Sequence, residues 1–206
     1  MGDDQTRVPQ LNMNRFLLLG LSLLAAVNLP NAGLAANTAP FFLTTQTVEI
    51  PESGIVTNTV LCTPSCEFAF LPPRDWKLGF HTNAIRLTWQ KRDLASEITL
   101  TVVFKEGGQI PQLQPEILRG IALSRHPGAV IVEEFPCYTR NAKGLAFDME
   151  NVSARQFKSN SRLAFIPFKG GWVELALTSP SDQFAEDQLE LGLLLNSLGI
   201  ESRAAK

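Results

Sequence analysis

The feature that most constrains this chain is a two-residue alternation of apolar and polar side chains that recurs along it. Ile98, Leu100, Val102 and Phe104 alternate with Glu97, Thr99, Thr101 and Lys105. Ile85, Leu87 and Trp89 alternate with Arg86, Thr88 and Gln90, and Leu145, Phe147 and Met149 with Asp148 and Glu150. Val173, Leu175 and Leu177 alternate with Trp172, Glu174 and Thr178. Successive side chains of a strand point to opposite faces, so each stretch predicts a strand with one side in a core. One-sided strands suit an antiparallel sheet, because the strands of a parallel sheet are apolar on both faces. Further strands are expected near Ile55–Cys62, Glu67–Leu71, Lys77–Phe80, Ala129–Glu134 and Ser161–Phe168. Lys169-Gly170-Gly171 and Gly107-Gly108 both have the composition of turns.

Two helices interrupt the strands. One should open near Pro115, which suits a first helical turn, and stop at His126-Pro127-Gly128. The other is announced by Ser179-Pro180-Ser181-Asp182, which offers a hydroxyl cap and a proline at the first turn. Phe184, Leu191, Leu195 and Leu198 share one helical face, which should lie against the sheet, and Gly199 suits the exit. The fold class expected is α+β, an antiparallel β-sheet flanked by helices.

The organisation along the chain is expected to be a signal peptide over 1–35, a lead-in over 36–54 and one α/β domain over 55–206. Phe16–Leu29 is an uncharged apolar run after Arg15, and small residues at Gly33 and Ala35 suit cleavage after Ala35. Its 14 residues fall short of the ~20 a membrane-spanning helix needs. Asp3 and Asp4 sit oddly before such a run, and Met13 would give a cleaner start than Met1. The product should be exported, periplasmic or secreted, with no stable membrane span after cleavage.

Export permits disulfides, and three cysteines leave one thiol over. Cys62-Thr-Pro-Ser-Cys66 encloses a tight turn, so a Cys62–Cys66 bridge is the favoured expectation, with Cys137 a buried thiol. Pairing of Cys137 with either of the other two stays open.

Little reactive chemistry is visible. With 18 Lys+Arg against 20 Asp+Glu, the chain lacks the cationic excess that displaces counterions from nucleic acid. No zinc, calcium, P-loop or dinucleotide spacing is present, so no cofactor and no metal are expected. Glu133, Glu134, Asp148 and Glu150 read as a solvated face. A nucleophilic pair would have to come from Cys137 with His81 or His126, and neither histidine stands in a catalytic signature. Trp172 and Glu174 lie on the polar side of their strand. There a helix covers them, or they form a binding surface.

Phe68-Ala-Phe70-Leu-Pro72-Pro73-Arg-Asp-Trp76, followed much later by Phe184…Leu194-Leu195-Asn196-Ser197-Leu198, resembles the PsbP/DcrB-like family. The resemblance covers about Cys66 to Ile200. It implies an α/β/α sandwich with an antiparallel sheet between helices, acting by binding rather than catalysis. Relatives in that family serve unrelated partners, so the resemblance transfers no partner or metal site. The function expected is that of an exported, non-catalytic binding or assembly protein with an envelope or secreted partner, acting through a protein- or ligand-binding surface. The alternatives are an exported hydrolase or thiol-dependent enzyme using Cys137 and a His, and a small-molecule carrier with a pocket between sheet and C-terminal helix.

Overall fold

The computed structural model describes residues 41–203 apart from 51–53, 82–83, 106–108, 113 and 153–157. The leader Phe16–Leu29, residues 36–40 of the lead-in and the Gly107-Gly108 turn lie outside the described residues. In chain order the elements are β1 (Phe42–Ile50), β2 (Gly54–Cys62), β3 (Cys66–Phe70), β4 (Lys77–His81), β5 (Arg86–Gln90) and β6 (Glu97–Phe104). They continue with α1 (Pro115–Arg125), β7 (Ala129–Tyr138), β8 (Lys143–Val152), β9 (Lys158–Phe168), β10 (Gly171–Pro180), α2 (Phe184–Ser197) and β11 (Gly199–Ser202). No helix among the described residues is long and apolar enough to cross a membrane.

All strand pairs are antiparallel. A seven-stranded sheet runs β4-β5-β6-β10-β9-β8-β7, and a four-stranded sheet runs β1-β2-β3-β11. The second sheet corrects the expectation of a lone β layer, and its β1 is built from residues the sequence reading left as lead-in. The Lys169-Gly170 turn joins β9 to β10 as expected, with Gly170 in the left-handed region at φ 97°.

The large sheet is covered along one face and over part of the other. Ile98, Leu100, Val102, Val173, Leu175, Leu177, Leu87 and Trp89 point to one side, where they pack with Phe184, Leu191, Leu194 and Leu198 of the α2 segment and with Leu61, Phe68 and Phe70 of the small sheet. On the other side Phe147, Met149, Leu163 and Phe165 pack under Leu118 and Ala122 of α1. Leu100 and Leu175 oppose each other at the centre with no exposed surface, and each such side chain contributes roughly 1.5–3 kcal/mol through burial. T-shaped contacts of Phe70 with Trp89 and of Phe68 with Phe168 tie the two sheets together.

Gly199 follows the C-cap Leu198 at the exit of α2, as expected, and opens β11. Two local expectations are corrected. Ser179 and Pro180 end β10, paired with Asn160 and Ser159, and α2 begins only at Phe184, with no side-chain hydrogen bond capping it. Asp148 is not solvated: it is buried and accepts two hydrogen bonds from Arg162, at 2.6 and 2.7 Å, across the β8–β9 pair.

The Cys62–Cys66 bridge is absent, and Cys62, Cys66 and Cys137 are all buried free thiols. The register supplies the reason. Cys62 lies directly opposite Glu67, so it shares Glu67's face of the hairpin, while the adjacent Cys66 points the other way into the core with Phe68 and Phe70. Closing the turn with Thr63 and Cys66, through backbone and side-chain hydrogen bonds of 2.9 Å, fixes that opposition.

Candidate functional site

The α1 side of the large sheet is divided along β10. Cross-strand rows can be followed through the register from β5 to β8. One reads Arg86, Thr101, Glu174, Phe165 and Leu145. The next reads Thr88, Thr99, Ala176, Leu163 and Phe147, and a third Gln90, Glu97, Thr178, Ser161 and Met149. Beyond β10 the rows turn apolar, with Ser161 the exception, and α1 packs on that half. On the near side, β5, β6 and β10 present threonines, two acids, an arginine and a glutamine. The alternation that built the opposite core face therefore also built this polar half-face.

A groove of about 120 Å³ lies where the polar half meets the C-terminal end of α1, lined among others by Arg86, Thr99, Thr101, Arg125, His126 and Glu174. Glu174 is its fixed acid. Its side chain is nearly buried, accepts a 3.0 Å hydrogen bond from Trp172 Nε1 and lies 3.4 Å from the Arg125 guanidinium. Arg125 stands in the last turn of α1, where a cation also favours the negative end of the helix dipole. His126 caps the same helix, and burial lowers its pKa from the ordinary 6.5, which keeps the ring neutral near pH 7. The groove thus offers hydroxyl donors and acceptors between an ion-paired carboxylate and exposed guanidinium groups.

Trp172 sits under cover: it is 7% exposed, packed in the α1 cluster, with the Lys105 ammonium 5.1 Å above its ring. Neither Trp172 nor Glu174 stands out as an exposed anchor. They form the floor of the groove, and the residues that reach solvent there are Arg86, Glu97 and Arg125.

The thiol and the two histidines are kept apart. Cys137 lies on β7, facing the α2 side of the sheet, and burial pushes its pKa up to about 11. His126 lines the groove on the opposite side. His81 lies on β4, at the far edge of the seven-stranded sheet, six strand spacings or ~29 Å from β7. Pro136, next to Cys137, is tolerated because β7 is an edge strand. Among the described residues, no group of three His, Cys, Asp or Glu side chains gathers as a metal site.

A second concavity, of about 570 Å³, lies at the N-terminal half of α2 and is lined by Arg74, Asp75, Trp76, Lys91, Arg92 and Glu190 among others. Asp187 at its base is buried and bound by Ser96, Ser179 and Lys91. Sequence reasoning missed this cluster because its members come from three segments, and only the Ser179-x-x-Asp182 spacing, read as a cap, drew attention to one of them.

No family model matches the chain, and no curated relative matches it. Solved structures are similar to it at low identity. One is LpqN of Mycobacterium tuberculosis, described as involved in cell envelope biogenesis, with 12% identity, a TM-score of 0.48, and coverage of 83% of this chain and 98% of that one. Another is cyanobacterial PsbP (CyanoP) of Synechocystis, with 7% identity, a TM-score of 0.46, and coverage of 85% and 99%. A protein of Bacteroides thetaiotaomicron is similar at 12% identity and a TM-score of 0.45 over 66% of this chain, which spans 45% of that protein's length.

Proposed function

We propose that this is an exported, non-catalytic binding protein of PsbP-like architecture that works through the polar half-face of its seven-stranded sheet. The observation that carries the reading is the division along β10. A helix seals the apolar half, while the other half keeps ordered rows of threonine and charged residues around a groove floored by buried Glu174. Glu174 is held nearly buried between the Trp172 indole and the half-exposed Arg125 guanidinium, where a group entering the groove would meet it. Export rests on the Phe16–Leu29 run and the small residues after it. The non-catalytic reading is supported by the separation of Cys137 from both histidines. The partner is an envelope or secreted protein.

A photo-crosslinking amino acid placed at the exposed Glu97 of the full chain, expressed in its native host, tests this. A discrete adduct from position 97, absent when the label stands at Lys143, is expected, together with a mature mass matching cleavage after Ala35. Identical adducts from both positions, or none from position 97, would refute the binding face. Retention of the full-length chain in the cytosol would refute export.

The 570 Å³ concavity at α2 supports a second reading, a small-molecule carrier. Native mass spectrometry of the purified full chain tests it: a retained ligand that Trp76→Ala releases supports it, and a bare mass refutes it.

A further inference from the structure

The two edges of the seven-stranded sheet differ in how they meet solvent. β7 is guarded: Pro136 removes a donor, the register shifts between Ile131 and Glu133, and Glu133 and Glu134 are exposed along it. β4 carries neither proline nor bulge, pairs among the described residues with β5 alone, and exposes all five of its residues. Leu78 and Phe80, 40% and 62% exposed, stand opposite Trp89 and Leu87, which are buried in the core. They therefore extend that apolar face beyond the last strand. On the reverse face Lys77 and His81 flank Gly79, and His81 stands opposite Arg86. Neither β4 nor β5 contains an acidic residue. Asp75, two residues before β4, has the Arg92 guanidinium 3.8 Å away, and Glu97 shares the row of Lys77 only from two strands further in.

We infer that β4 is a docking edge for an extended acidic segment of another protein, which adds as an eighth strand. The occupant follows from charge and from the pleat. Side chains facing Leu78 and Phe80 must be apolar, and the alternate ones, facing Lys77 and the His81–Arg86 pair, must be Asp or Glu. A second copy fits poorly. Antiparallel self-pairing centred on Gly79 sets Lys77 of each copy against His81 of the other and leaves no anion to face either. This edge adjoins the polar half-face and shares Arg86 with it, and the place of the perturbation, at Lys77–His81 or at Thr99 and Thr101, tells the two readings apart.

The test titrates the isotope-labelled full chain with a short capped peptide alternating Val and Glu, and with a counterpart alternating Val and Lys. The Val/Glu peptide is expected to bind roughly tenfold more tightly, to slow amide exchange within Lys77–His81, and to lose about tenfold in affinity on Phe80→Glu. Lys77→Glu should shift the preference toward the Val/Lys peptide. Both positions are exposed, and circular dichroism checks that the variants keep the fold. Equal affinity for the two peptides would overturn the proposal, as would perturbations centred on Thr99 and Thr101 instead of β4. So would a concentration-dependent dimer that Phe80→Glu abolishes, which would make a second copy the occupant.

Discussion

Replacing Asp187 by Ala should cost about 3 kcal/mol of folding stability, and the figure follows from the atoms around it. The carboxylate is 1% exposed. Its Oδ2 accepts hydrogen bonds from Ser96 Oγ and Ser179 Oγ, both at 2.6 Å, and its Oδ1 accepts one from Lys91 Nζ at 2.9 Å. Hydrogen bonds to an ionised group contribute about 1.5–3 kcal/mol each when buried. The Lys91 side chain is 26% exposed, so its ion pair is screened and adds at most about 1 kcal/mol. Against these stand the desolvation of the carboxylate, which the variant no longer bears, and the 3.0 Å contact that lets Ser96 and Ser179 bond to each other. Urea unfolding with linear extrapolation measures the difference, and Lys91→Met is the control, expected to lose about 1 kcal/mol or less. The pH dependence adds a second constraint. Burial raises the Asp187 pKa, but the hydrogen bonds from Ser179, Ser96 and Lys91 outweigh it, and the net value lies below the ordinary 3.8. A carboxyl depressed in the folded state stabilises fully above its unfolded value and loses that contribution as pH falls through the folded one. The gap between wild type and Asp187→Ala should therefore be constant near neutrality and narrow below about pH 4. A loss under 1 kcal/mol for Asp187→Ala, or an equal loss for Lys91→Met, would refute this account of how α2 is tethered to β6 and β10.

Two glycines should respond in opposite directions in the same assay. Gly120→Ala, in mid-helix with nothing within 4 Å of its new methyl, should stabilise by about 0.5–1 kcal/mol, whereas Gly171→Ala drives a methyl into the Val103 carbonyl and should destabilise by more than about 2 kcal/mol. Thiol counting under non-reducing conditions should find none reactive in the native state and three after unfolding, and a single reactive thiol after unfolding would show that two of the three are paired. Native Cys137 should resist iodoacetamide at pH 8, because burial holds its pKa at about 11. Arg162→Lys keeps the charge but loses the paired contact to buried Asp148 and the stack over Phe135, and a drop in melting temperature of several degrees is expected.

The large sheet was legible because its strands are half-buried, and half-burial writes a period of two into the sequence. Glu97, Thr99, Thr101 and Glu174 could be assigned to one face before any pairing was known. What the pattern does not carry is partnership between distant segments. The small sheet joins Gly199–Ser202 to Cys66–Ala69, and a four-residue strand has too few positions to show alternation. β1 was obscured by its run of threonine and glutamine, which reads equally as loop. Ser179 misled for a physical reason: its hydroxyl does bind an acid of α2, but that acid is Asp187, reached from the end of a strand, and not a group of its own helix terminus. The cysteine pair misled because closeness in sequence says nothing about which side of a hairpin each sulfur occupies. The groove at Glu174 was half visible, since its strand residues were placed correctly, while the arrival of Arg125 and His126 from α1 depended on tertiary packing.

The pairing of β3 with β11 bears on how the molecule assembles. Ala69 meets Gly199 across some 130 positions of chain, with every strand of the larger sheet lying between them in sequence. The smaller sheet therefore cannot close until the larger one and α2 have been synthesised, and until then Phe68 and Phe70 lack their full cover. Such a circuit of distant contacts makes folding slow and leaves the early segments exposed to trapping by other chains. A polypeptide wired in this way stays threadable for longer than one that condenses hairpin by hairpin.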